Sequence, residues 1–155
     1  TLAVYEPENT SLPEPFFEGY SRWDGEFFDT TEDNMTSNIG AGNITSTPKD
    51  MARWLRLLLT AKGPLSSGQI TRMKRVVEGN TNYGLGLSHL ELGVGHSGAH
   101  PGFMNIVLYN EEHDTAIVLV APFIDYDEGN MGHISATLTV MQEIMQEALT
   151  IVDFE

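Results

Sequence analysis

The sequence contains no cysteine among its 155 residues. Disulfide bridges and thiolate metal sites are therefore excluded. Basic residues are scarce: 8 Lys and Arg stand against 22 Asp and Glu, for a formal charge of -14. Such a surface repels nucleic acid and anionic lipid, and its plain reading is a soluble acidic exterior. Long apolar runs are also missing. The longest, Ala116 to Phe123, has the length of a buried strand and falls far short of the ~20 residues that cross a bilayer. Thr1 to Ser11 lacks both a basic and an apolar segment of the kind that directs export, and the numbering is expected to start inside a longer product. What remains is a chain of ordinary single-domain size in which 41% of residues are hydrophobic, enough for a core.

Residues 1–45 are rich in Pro, Asn, Thr, Asp, Glu and Gly, and Pro7, Pro13 and Pro15 interrupt any long helix. Aromatics are dense here (Tyr5, Phe16, Phe17, Tyr20, Trp23, Phe27, Phe28), so the segment reads as ordered loops lying on a core. Residues 46–80 read as two helices. Thr47 is placed to cap the first, with Pro48 at its first position and Asp50 in its first turn. Met51, Trp54, Leu55, Leu58 and Leu59 form one apolar stripe, and Gly63 followed by Pro64 is expected to end the helix. Ser66 and Gln69 form a capping box for the second helix, whose face is Ile70, Met73, Val76 and Val77.

Between 83 and 122 the pattern is that of antiparallel strands: Tyr83 to His89, Leu92 to Ser97, Phe103 to Tyr109 and Thr115 to Val120, with Asn110 to Asp114 as a hairpin loop. A last helix over about 130–149 carries the face Ile134, Leu138, Met141, Met145 and Leu149, with Asn130 as its cap. The order predicts a single α+β domain: an antiparallel sheet of three to four strands, with the C-terminal helix packed on it. Short hairpins exclude a parallel doubly wound sheet. Trp23 and Trp54 are expected to be core or loop-anchoring rings, and Tyr20 to pack.

The run Gly95-His96-Ser97-Gly98-Ala99-His100-Pro101-Gly102 concentrates the chemistry. It can be a plain glycine-rich turn, or a place where glycine lets a ligand approach the backbone. A nucleophile elbow at Ser97 is disfavoured: the elbow turns from strand to helix, whereas strand follows here. A metal pair of His96 and His100 is also weak, because a spacing of four at a strand end does not converge two imidazoles, although His89, His113 and His133 could approach in space.

Three segments together carry a resemblance. Gly42 to Leu55 (GNITSTPKDMARWL), Tyr83 to Leu87 (YGLGL) and Gly95 to Phe103 (GHSGAHPGF), with Gly19-Tyr20 after Pro15, resemble in order the motifs of the class C β-lactamase and D-alanyl-D-alanine carboxypeptidase family, over about residues 13–122. The resemblance implies a partial β-lactamase/transpeptidase-like fold, the C-terminal part of a serine hydrolase. Its K/H-T/S-G triad falls on His96, Ser97 and Gly98. His96 would supply polarity, Ser97 would bind substrate, Gly98 would leave room for the acyl group, and the Ala99 N–H would form half an oxyanion hole.

The family's nucleophile is the Ser of S-x-x-K. Ser46-Thr-Pro-Lys49 matches that string, but Ser46 precedes the cap Thr47, and no Y-x-N or S-x-N follows before His96; Ser37-Asn38 and Asn80-Thr-Asn82 supply none. Ser46 and Lys49 are therefore read as a decoy, with the nucleophile on other polypeptide. The expected parent hydrolyses D-amino acid peptides, β-lactams or small esters in the periplasm or outside the cell, without metal or cofactor, and this chain alone is expected to be inactive. A non-catalytic binding module on the same scaffold is the alternative. The expected partners are a small-molecule or peptide substrate, and a second copy of the chain through an unpaired sheet edge; no nucleic acid and no membrane insertion are expected.

Overall fold

The computed structural model describes residues 3–4, 10–79, 82–127 and 130–152. Tyr5, Pro7, Asn80, Thr81 and the side chain of Asn130 lie outside the described residues, so the expectations resting on them have no structural counterpart. Strand β1 (Ala3–Val4) pairs with β4 (Thr45–Ser46), β2 (Tyr20–Trp23) forms a hairpin with β3 (Glu26–Asp29), and two helices, α1 (Pro48–Leu59) and α2 (Ser67–Lys74), follow. Strands β5 (Ser88–Leu90), β6 (Gly93–His100), β7 (Phe103–Asn110) and β8 (Thr115–Ala121) make an antiparallel sheet in sequence order. β9 (Phe123–Asp125) leaves that sheet, and α3 (Asn130–Val152) ends the described chain.

The α+β architecture with a four-stranded antiparallel sheet is as the sequence predicts. Each face of the sheet has its own core. On one, Leu55, Leu58 and Leu59 of α1 and Ile70 of α2 pack with Val94, Val107 and Tyr109. On the other, Met104, Ile106 and Leu108 pack with Met141 and Met145 of α3, with Ile134 and Leu138 half-buried beside them. Strand alternation explains the split, since successive β7 side chains point to opposite faces. Each fully buried large side chain, such as Ile106 or Met145, contributes about 1.5–3 kcal/mol.

The α1 N-terminus forms as its sequence dictates: the Thr47 side chain accepts from the Asp50 N–H, behind Pro48. The helix ends earlier than expected. Lys62 N–H bonds Leu57 C=O (2.9 Å) and Ala61 N–H bonds Leu58 C=O (3.1 Å), the paired bonds of a Schellman motif. Its left-handed residue is Ala61, at φ 55, so Gly63 is not the terminator. The Ser66–Gln69 capping box forms, but α2 stops at Lys74, which leaves Val77 exposed beyond it. Trp54 is 47% exposed, on the rim of its stripe rather than in the core. Tyr83–Leu87 is a turn with one bridge from Tyr83 to Ser88, because the Gly84 N–H bonds Leu87 C=O and folds the segment back on itself.

The reading of residues 1–45 as loops needs the larger correction. β2 and β3 form a hairpin, and β2 also pairs in parallel with β9, giving a second sheet in the order β3-β2-β9. Its aromatics do not lie on a core: Phe27 is 68% exposed and Trp23 59%, the latter resting against Tyr126 at 5.4 Å. Arg22 instead fastens this sheet, reaching Asp125 at 2.6 Å and Asp127 at 3.0 Å.

Candidate active site

The sheet's register exposes one stretch of β6. The His89 N–H bonds Asn82 C=O (2.7 Å), away from β6. Backbone groups alternate sides along an antiparallel strand, so Ser88 and Leu90 face β6, and their partners Gly95 and Gly93 face β5. The same alternation turns the N–H and C=O of Ser97 and Ala99 to that side. β5 begins only at Ser88, opposite Gly95. Among the described residues, no strand lies beside the β6 edge from His96 to His100.

Two sets of side chains flank that edge. His96, Gly98 and His100 stand opposite Val107, Asn105 and Phe103, on the α1 side; Ser97 and Ala99 stand opposite Ile106 and Met104, on the α3 side. His96 is exposed and Ser97 half-buried. The His96 Nδ1 lies 2.5 Å from the Ser97 carbonyl and its Nε2 lies 2.9 Å from the Tyr83 hydroxyl. The Tyr83 and His96 rings meet edge-on at 5.7 Å. A side chain at Gly98 would sit 3.1 Å from the Asn105 amide, so glycine keeps a shallow recess between that amide and the open edge. The neighbouring His100 has its Nδ1 3.4 Å from the Asn38 amide, and Gly42 comes so close to its ring that a Cβ there would stand 2.6 Å from Nε2.

The second sheet anchors the tip of the β6–β7 hairpin. The Gly102 N–H donates to the buried Ser21 Oγ (2.9 Å), and the Gly19 N–H donates to Thr31 Oγ1 (2.9 Å). Gly19 and Gly102 lie in contact. A Cβ on Gly19 would fall 2.5 Å from the Phe103 ring and 2.7 Å from the Gly102 carbonyl oxygen. Gly102, at φ 80, also supplies the left-handed turn residue after Pro101. The two segments quoted from the sequence, Gly19-Tyr20 and Pro101-Gly102-Phe103, are thus the two halves of one contact. Tyr20 itself bonds Glu18 from an exposed position on β2.

The structure therefore gathers His96, Ser97, Gly98 and Ala99 on one open strand edge and adds two residues not assigned a role in the sequence, Tyr83 and Asn105. Tyr83 lies in the YGLGL segment, and Asn105 is an amide set between the apolar residues Met104 and Ile106 of β7. Ser46 lies in β4, one residue before the cap, and Lys49 is exposed in the first turn of α1. Two surface grooves, of about 390 and 230 Å³, lie elsewhere, against Arg72, Arg75 and Leu85 and against Leu90 and Gln142. The β6 edge is an open wall rather than a closed pocket. Among the described residues, no three His, Asp or Glu side chains converge as metal ligands, and no helix is long and apolar enough to cross a membrane.

A fold of this kind, with an antiparallel sheet between two helical layers and an open strand edge, is that of the β-lactamase type. The Beta-lactamase family model matches residues 4–122, most of the chain, and the chain belongs to that family. Among solved structures it is similar to a D-stereospecific amidohydrolase from a Streptomyces species (TM-score 0.68, 20% identity, covering 78% of this chain and 39% of that one). It is also similar to the D-amino acid amidase of Ochrobactrum anthropi SV3 complexed with L-phenylalanine amide (TM-score 0.65, 24% identity, covering 84% and 43%). The same amidase complexed with D-phenylalanine gives a TM-score of 0.61 at 24% identity, covering 91% of this chain and 48% of that one. At these identities the likeness is one of fold, and the chain spans less than half the length of these relatives. No curated protein matches the chain.

Proposed function

We propose that the chain supplies the substrate-side strand wall of a serine hydrolase that works through an acyl-enzyme, its nucleophile being carried by polypeptide outside these residues. The observation that carries this reading is the β6 edge from His96 to His100, beside which no strand lies among the described residues and where the Ser97 and Ala99 backbone groups face outward beside His96. A bound acyl group at that edge would meet the Ala99 N–H as an oxyanion donor, the Ser97 hydroxyl as a hydrogen-bond partner, and the Gly98 recess as space. A substrate lying along it would add as a short extra strand. D-amino acid amides and peptides are the favoured substrates, in keeping with the solved structures of similar fold; β-lactams and small esters react by the same acyl transfer. Ser46 stays outside this chemistry, because it sits in β4 before the cap Thr47. The same reading leaves the outer edge of β8, a seven-residue run without a charge, open to a second copy of the chain.

The test is incubation of the purified chain with a chromogenic β-lactam, a nitrophenyl ester and D-phenylalanine amide. No turnover is expected. Turnover abolished by Ser46→Ala would overturn the assignment of Ser46 as a bystander. Turnover abolished by Ser97→Ala would make Ser97 the nucleophile.

A further inference from the structure

We infer that Tyr83 is a positioning residue for His96, holding the imidazole, in the tautomer that the Ser97 carbonyl sets, at the open end of β6. The Ser97 carbonyl, 2.5 Å from His96 Nδ1, can only accept, so Nδ1 must carry a hydrogen. In a neutral imidazole the other nitrogen is then a bare acceptor. The Tyr83 hydroxyl, 2.9 Å from Nε2, is the donor that satisfies it. The Ser97 bond sets the tautomer, the phenol (able to donate or accept) donates to match it, and the edge-on contact of the two rings at 5.7 Å holds the plane in which both can form.

Backbone geometry makes the arrangement more than local. The Ser97 carbonyl belongs to the outward-facing set on β6, so the imidazole covers one acceptor of the edge that a ligand would use. Tyr83 reaches this point because the Tyr83–Ser88 bridge fixes its backbone on the far side of β5. In the proposed hydrolase, on which only this last step rests, the phenol sets the orientation in which His96 meets substrate.

The test is long-range ¹H–¹⁵N NMR of the histidine rings at about pH 9, where a free imidazole is neutral. His96→Gln assigns the signal. The wild-type chain is expected to show His96 as the Nδ1–H form. In Tyr83→Phe, which keeps the ring, the Nδ1–H form is expected to persist while the His96 Nε2 signal moves and the imidazole loses its fixed orientation, seen as a lowered ring order parameter. The signals of His100, His113 and His133 should stay in place, which reports that the fold is kept. An Nε2–H form in the wild type, or an unchanged His96 signal in Tyr83→Phe, would overturn the inference. If the variant does not fold, a hydrogen-bond coupling between the Tyr83 hydroxyl proton and His96 Nε2 in the wild type decides it, its presence supporting the inference and its absence overturning it. The readout needs no turnover, so it stands or falls separately from the hydrolase assignment.

Discussion

Replacing Gly19 with alanine tests how the second sheet holds the candidate site. The new Cβ would stand 2.5 Å from two carbons of the Phe103 ring and 2.7 Å from the Gly102 carbonyl oxygen. The ring can swing, but the carbonyl belongs to the turn that the Gly102 N–H to Ser21 bond fixes, so the chain must shift. Overpacking of this kind costs about 1–3 kcal/mol. A gain of about 0.4–1 kcal/mol opposes it, because alanine restricts the unfolded chain more than glycine does. The net expectation is a loss centred on about 1.3 kcal/mol, or roughly 3–5 °C in Tm for a domain of this size. Urea unfolding should show a lower midpoint with unchanged slope, and the buried Gly102 amide should exchange its hydrogen faster than in the wild type. Gly68→Ala is the control: nothing lies within 4 Å of that Cβ, and the change should be neutral or slightly stabilising. If Gly19→Ala matches the wild type in midpoint and exchange, the β2–β3 hairpin does not press on the β6–β7 tip as described.

Ala61 occupies the left-handed position of the α1 Schellman motif at φ 55, so Ala61→Gly should stabilise the chain by up to about 1 kcal/mol in thermal unfolding, less whatever its half-buried methyl contributes to the core. Burial first, and then the hydrogen bond to Asp114, push the Tyr109 phenol up to about 12. In Asp114→Asn, ¹³C-tyrosine NMR should find it lower but still above the free phenol, since burial remains. The Arg56 and Tyr109 hydrogen bonds hold the Asp114 carboxyl below the usual carboxylate range, as those from Thr31 do for Asp29. Both groups therefore add stability that is fully present above about pH 4 and is lost as pH falls through their depressed folded values, so Asp114→Asn should flatten the acid limb of a stability–pH curve. The uncharged β8 edge should self-associate at high concentration in sedimentation, and Val120→Lys should suppress this; a wild-type chain that stays monomeric would count against edge pairing.

The sequence revealed those parts whose signals are local and periodic. Thr47, Pro48 and the Leu55–Leu58–Leu59 stripe act within one helix, and Met141, Met145 and Leu149 repeat along another, so neither needed a tertiary partner to be read. The β2–β3 hairpin had a local signal too. Asp24-Gly25 between aromatic runs is a strong two-residue turn pair, and it was overshadowed by the surrounding proline and asparagine. The pairing of β2 with β9 had no such signal, because it joins residues about 100 apart through a parallel register that only tertiary packing sets. Trp54 and Phe27 misled for a related reason: a large ring raises the expectation of burial, yet neighbours elsewhere in the chain decide it. At the candidate site, His96 to Ala99 stood out as a motif. The approach of Tyr83 depends on a turn at Gly84 and Gly86, where the sequence pattern suggests a strand.

The most direct measurement of the central claim is adduct mapping on the native gene product that carries this chain. The protein would be treated with a fluorescent penicillin and digested, and the labelled peptide would be identified by mass spectrometry. The account predicts a covalent adduct on a serine outside these 155 residues, with labelling slowed by Ala99→Pro, which removes the outward N–H. An adduct on Ser46 or Ser97, or labelling indifferent to Ala99→Pro, would contradict it.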